Sequence, residues 1–261
     1  MKQRVITAVV ALIIFVPLVW LGGVLFDILA ILLGLVALSE ILIMRKKLLV
    51  SPEAVISMLA ALAVLIPQSW LNFLPSDTTR FTIFYFFVLI LLMYTVITKN
   101  RFSFDDAGML ILGTIYSSVG FHYLMQARNV GISTVFYLLL IVWSTDSGAY
   151  LVGRKLGKNK LAPHISPNKT WEGSIGGVII AIVIAGGFTL IYPQNFGLVS
   201  VLLITLILSI VGQMGDLVES ALKRFYGVKD SGRILPGHGG ILDRFDSLLF
   251  VLPVAHFIGL I

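Results

Sequence analysis

The sequence predicts an all-α fold: a polytopic integral membrane helical bundle of about nine transmembrane helices, with the N-terminus cytoplasmic. Three observations predict it. Of the 261 residues, 58% are hydrophobic and 12% charged, and the mean hydropathy is +1.00, whereas soluble domains run at about 45–50% apolar and about 25% charged. So few charges cannot coat a soluble globule, and lipid is the solvent for most of the chain. Second, nine segments qualify as bilayer-crossing helices, which need about 20 mostly apolar residues. Third, with the N-terminus inside, every Lys and Arg except Arg80 and Arg128, seventeen of nineteen, falls on the inner side. That is the positive-inside bias of an inner (cell) membrane protein, and it accounts for the net charge of +6 without a nucleic-acid partner.

The segments are 5–21, 24–44, 53–72, 81–98, 104–124, 131–152, 173–192, 197–218 and 240–261. The first follows Met1-Lys2-Gln3-Arg4, the charge layout of a signal peptide, but no small-residue cleavage site follows it, so a retained helix is expected. Only Leu21-Gly22-Gly23 separates it from the second, which carries Asp27 near its outer end. Arg45-Lys46-Lys47 closes the second on the inner side, and Lys99 with Arg101 closes the fourth. The whole chain, 1–261, reads as one membrane domain. Residues 1–100 are nearly featureless hydrophobic helix of unassigned role, and 101–261 hold the helices where any chemistry is expected and two long inner loops, 153–172 and 219–243. Cysteine is absent, which excludes disulfides, thiolate metal sites and thiol nucleophiles.

Ionisable groups within spans are costly and point to function. Asp146 lies about six residues, or about 9 Å of helix, from the inner end of its span. Asp216 lies at the inner end of the eighth span, with Glu219 and Ser220 on the same face if that helix continues. Asp243 and Asp246 stand one turn apart at the start of the ninth. Taken singly, each acid is as well explained as interhelical glue or as a helix-start residue favoured by the dipole. Several at one depth favour a hard cation such as Mg²⁺, which takes one or two carboxylates and leaves positions for water and phosphate oxygens.

Two loops have the chemistry to hold phosphate. The first runs through Arg154, Lys155, Lys158 and Lys160 to Ser166-Pro167-Asn168-Lys169-Thr170, just before a helix start that favours anions. Gly153 to Lys158 is one residue short of a P-loop and follows a transmembrane helix, so a Walker motif is rejected. The second, Lys229-Asp230-Ser231-Gly232-Arg233 through His238-Gly239-Gly240, places glycines where a backbone approaches a phosphate. Positive-inside topology or a flexible turn explains the lysines and glycines equally well. Gly173 and Gly177 form a GxxxG, which fits intramolecular packing and leaves a homodimer possible.

Ser220-Ala221-Leu222-Lys223-Arg224, Lys229-Asp230-Ser231-Gly232, Leu235-Pro236-Gly237-His238-Gly239-Gly240 and Asp243-Arg244-Phe245-Asp246 together resemble the signature of the phosphatidate cytidylyltransferase (CDP-diacylglycerol synthase) family. Ile165 to Gly173 is similar to that family as well. The resemblance implies a nucleotidyltransferase of phospholipid biosynthesis that moves CMP from CTP to phosphatidic acid, giving CDP-diacylglycerol and pyrophosphate. It implies one or two divalent ions, Mg²⁺, on Asp216, Asp243 and Asp246, with Asp146 as a further ligand or partner. Lys223, Arg224, Lys229 and Arg233 would bind triphosphate or leaving pyrophosphate. Lys169, Ser166, Asn168 and Thr170 would close on nucleotide or lipid phosphate, with Ser220, Asp230, His238, Gly239 and Gly240 lining the site. Another membrane lipid nucleotidyltransferase or a polyprenol kinase shares these needs. An ion-coupled transporter fits less well, because its broken helices would occupy both halves of the chain.

Overall fold

A computed structural model describes residues 2–75 and 77–261. The side chains of Lys2, Arg4 and Val5 lie outside the described set, so the two N-terminal cations of the charge count are not placed. Among the described residues there are nine α-helices: α1 (Lys2–Leu21), α2 (Gly23–Met44), α3 (Pro52–Leu65), α4 (Arg80–Ile97), α5 (Phe104–Val130), α6 (Ile132–Leu156), α7 (Trp171–Ile191), α8 (Leu198–Phe225) and α9 (Leu242–Phe257). They match the nine segments one for one, and the protein is an all-α polytopic membrane protein.

Six of them, α2 and α4 to α8, are long and apolar enough to cross a membrane. Two of the others, α3 and α9, correct the expected lengths. α3 has 14 residues, about 21 Å at 1.5 Å per residue, against a hydrocarbon core of about 30 Å. It stops at Ile66, whose ψ is 130°, because the residue before a proline is driven out of the helical region, here by Pro67. Only a short 3₁₀ turn at Gln68–Leu71 fills the rest of the expected span. α9 has 16 residues.

Conversely, α6 and α8 overrun their expected inner ends and convert Arg154, Lys155, Glu219, Ser220, Lys223 and Arg224 from loop into helix. The loop after α6 then folds as a hairpin of β1 (Lys160–Ala162) and β2 (Ser166–Thr170), antiparallel, with Lys160 opposite Thr170 and Ala162 opposite Ser166. Thr170 closes it by capping α7, its Oγ1 accepting from Gly173 N at 3.1 Å, the usual role of Thr at a helix start.

The chain forms two compact units. One comprises residues up to Met125 together with Asp230–Asp243, and the other comprises Gln126–Lys229 with Arg244–Ile261. The first unit has a core of Leu38, Leu42, Ala54, Ala61, Leu91, Ala107 and Leu110 from α2 to α5, with Phe102 from the α4–α5 connection. Neighbouring helix ends in it are tied by Arg45 to Asp106 at 2.5 Å and Lys47 to Glu53 at 3.2 Å.

The second unit is organised by the packing of α6 on α7. A Cβ on Gly177 would lie 2.6 Å from the Thr145 carbonyl oxygen, and one on Gly173 would lie 2.7 Å from that of Ala149. The GxxxG is therefore spent on contact within the chain, and this packing lends no support to a homodimer. Polar pairs hold α6 to α8: Tyr137 Oη lies 2.7 Å from Thr205 Oγ1, and Thr145 Oγ1 lies 2.7 Å from Ser209 Oγ.

Candidate active site

The second unit gathers Asp146 from α6, Asp216 and Lys223 from α8, Asp246 from α9 and Lys169 from β2. Lys169 Nζ sits 2.6 Å from Asp216 Oδ2, and Ser220 Oγ donates to Asp216 Oδ1 at 3.3 Å, one turn along α8. α8 and α9 approach closely because residue 215 is glycine: a Cβ there would stand 2.7 Å from the Asp246 carbonyl oxygen. The charges of Asp146, Asp216 and Asp246 act on one another, with Lys169 and Arg244 acting on Asp146 and Lys223 on Asp246.

Other contacts fix the cations. Lys223 is ion-paired with Glu219 four residues earlier, and Glu219 is fully buried, so the ammonium is oriented from below by a charge with no exposure of its own. Arg224 Nε donates to the Ile165 carbonyl at 3.3 Å and thereby ties α8 to the hairpin. Glu172, in the first turn of α7, accepts from Lys158 N at 3.1 Å and from Asn159 Nδ2 at 2.7 Å, which fixes the start of the same hairpin. Asn168, Lys229, Asp230 and Arg233 are exposed, and Ser166 is half-buried. Thr170 is buried and engaged as a cap, so its hydroxyl serves the helix start.

Among the described residues, no group of three or more His, Asp or Glu side chains is drawn together tightly enough to hold one ion. The three acids share a field without forming a complete cage.

The first unit contains the rest of the predicted set. Asp243 Oδ2 accepts from Ser231 N at 2.8 Å and Gly240 N at 2.8 Å, with Ser231 Oγ 2.9 Å away. This oxygen is engaged in shaping the loop. The loop reverses at Gly237 and Gly239, with φ of 79° and 86°, and closes with Leu235 N donating to Gly239 O at 3.0 Å. His238 Nδ1 is buried without a hydrogen-bond partner among the described residues.

Sequence reasoning missed Glu40. It lies in α2, is 1% exposed, and accepts from Ile241 N and Leu242 N, each at 2.8 Å. The available signal was an acid inside an apolar helix, reached after the eleven apolar residues 28–38 and Ser39, by the same rule that singled out Asp146.

The cytidylyltransferase family model matches residues 2–261. The chain is 51% identical over 261 residues to the phosphatidate cytidylyltransferase of Bacillus subtilis (strain 168), covering 99% of this chain and 97% of that relative. It is 48% identical to the phosphatidate cytidylyltransferase of Staphylococcus haemolyticus (strain JCSC1435), covering 97% of each. It is 46% identical to that of Staphylococcus aureus (strain COL), again covering 97% of each.

Proposed function

The chain belongs to the cytidylyltransferase family, and from that premise we propose that it transfers CMP from CTP to phosphatidic acid, forming CDP-diacylglycerol and releasing pyrophosphate. The observation that carries this reading is the grouping of Asp146, Asp216 and Asp246 with Lys169 and Lys223 in a chain whose helices are built for lipid.

In the reaction, a monoester oxygen of phosphatidic acid attacks the CTP α-phosphorus in line. The bond to the β-phosphate oxygen breaks, and pyrophosphate leaves with that electron pair. Both reactants are anions, so the work is positioning and charge neutralisation, and no covalent enzyme intermediate is required. Asp146, Asp216 and Asp246 are the carboxylates that would hold a divalent ion, and magnesium bound there would supply positive charge against the triphosphate. Lys169, paired with Asp216 in this structure, and Lys223, oriented by Glu219, are the cations for the phosphates. Arg224 and the exposed Lys229 extend that basic surface. The two acyl chains remain in the bilayer, which is why a polar reaction is run by so apolar a chain.

Placement in the inner cell membrane with the site facing the cytoplasm is supported by the bias that the nine-segment reading gives, seventeen of nineteen cations to one side.

The test is pyrophosphate release by purified protein in detergent. Release is expected only with CTP, phosphatidic acid and Mg²⁺ together, lost on EDTA addition and restored by excess Mg²⁺. Release without the lipid refutes the acceptor assignment, and release of a nucleoside diphosphate identifies a lipid kinase instead.

A further inference from the structure

Resting on the activity just proposed, we propose that Glu40 is a positioning residue for the transfer reaction, acting from α2 by holding the Ser231–Leu242 loop and the start of α9. Its carboxylate has three donors from that segment. Oε1 accepts from Ile241 N at 2.8 Å, and Oε2 accepts from Leu242 N at 2.8 Å and from Ser231 Oγ at 2.9 Å. Ile241 N and Leu242 N are among the first amides of α9, which have no partner within their own helix. A carboxylate at that end also meets the positive pole of the helix dipole. Glu40 thus caps α9 from a different helix, some 200 residues earlier in the chain.

The glycines of the loop fit this role. A Cβ on Gly232 would fall 2.6 Å from Glu40 Oε1, and one on Gly240 would collide with both Glu40 Oε2 and Ser231 Oγ. These two positions lie against Glu40, so their lack of a side chain makes room for its carboxylate. Ser231 Oγ lies 2.9 Å from Glu40 Oε2 and also 2.9 Å from Asp243 Oδ2, so the same hydroxyl links the anchor to the Asp243 carboxylate. A buried charge is tolerated only when its hydrogen bonds are made, and these three bonds fix where α9 begins. α9 is the helix that carries Asp246.

The experiment compares Glu40→Gln, Glu40→Asp and Gly232→Ala with the unsubstituted full chain in detergent. It measures kcat for CDP-diacylglycerol formation per folded molecule, the Mg²⁺ concentration for half-maximal rate, and the thermal midpoint. Glu40→Gln keeps the length but turns an amide N–H₂ toward backbone donors. Its kcat is expected to fall about 10–100-fold, the range for partners that orient a ligand without touching the reacting atoms, with a raised Mg²⁺ requirement. Glu40→Asp, which keeps the charge, is expected to recover part of the rate, and Gly232→Ala to resemble Glu40→Gln.

A Glu40→Gln enzyme with kcat within twofold of the parent and the same Mg²⁺ dependence overturns the proposal. So does a loss of activity that only tracks the amount of folded protein. An unsubstituted chain that makes no CDP-diacylglycerol instead removes the activity on which the proposal rests, and that outcome is read separately from the variants.

Discussion

Gly177→Ala tests whether the α6–α7 contact sets the geometry of the second unit. The added Cβ would lie 2.6 Å from the Thr145 carbonyl oxygen and 3.1 Å from both the nitrogen and the Cβ of Ala149. Two of these three neighbours are backbone atoms of α6 that cannot rotate away, so the helices must part. A gap of about 0.5–1 Å already forfeits a quarter to a half of each dispersion contact, and overpacking of this kind costs about 1–3 kcal/mol. Replacing a helical glycine by alanine returns at most about 1 kcal/mol. The net expectation is destabilisation by about 1–2 kcal/mol, a fall of about 2–8 °C in the thermal midpoint for a chain of this size. The control lies in the same helix: a Cβ on Gly187 meets nothing within 4 Å, so Gly187→Ala is expected to be neutral or stabilising. Thermal unfolding of both variants in one detergent checks this. Because Thr145 precedes Asp146, Gly177→Ala is also expected to lower CDP-diacylglycerol formation. Equal midpoints for the two variants would refute the packing argument.

Asp216→Asn is expected to cut the transfer rate about 100-fold, on the scale of removing one electrostatic stabiliser from an active site, while the protein still folds; full turnover at saturating Mg²⁺ would count against it. Lys169→Met should lower the rate as well, and the double variant should lose less than the two single effects combined, since groups in contact are not additive; steady-state kinetics on the three proteins checks this. Tyr137→Phe removes a buried hydroxyl that lies 2.7 Å from Thr205 Oγ1 and 3.2 Å from Val201 O, and should cost about 1 kcal/mol of stability with kcat unchanged.

Nine apolar runs and the nine helices among the described residues agree because lipid demands a continuous hydrogen-bonded backbone, and composition reports where lipid is. It does not report where a helix stops. α8 continues through Lys223 and Arg224 because both are good helix formers. α3 stops early because a proline acts on the residue before it, whatever the hydropathy. The second-half acids were legible one by one, since an aspartate in an apolar helix is conspicuous, and Asp216 and Ser220 share a face by simple periodicity. The division of labour within the motifs was not legible. Thr170 and Asp243 look alike on paper as polar groups near a phosphate loop, yet each is engaged by backbone donors of its own segment. Glu40 was visible as a residue and invisible as a partner, because nothing in local sequence links α2 to a loop about 190 positions later.

That separation bears on how the chain is made. Glu40 meets its hydrogen-bond donors across sequence intervals of 191 to 202 residues, so α2 must enter the bilayer long before Ser231, Ile241 and Leu242 leave the ribosome. During that interval the carboxylate lacks the donors that will offset its burial, and it is held by protonation, by water or by a position near the interface. Closing a loop of this size costs about 5 kcal/mol of chain entropy if the intervening chain is flexible, less once the intervening helices have formed. Contacts of such long range form slowly. Assembly of the first unit therefore completes only after nearly the whole chain has been synthesised, and a polypeptide truncated before residue 231 carries an acid in its second helix with none of these partners.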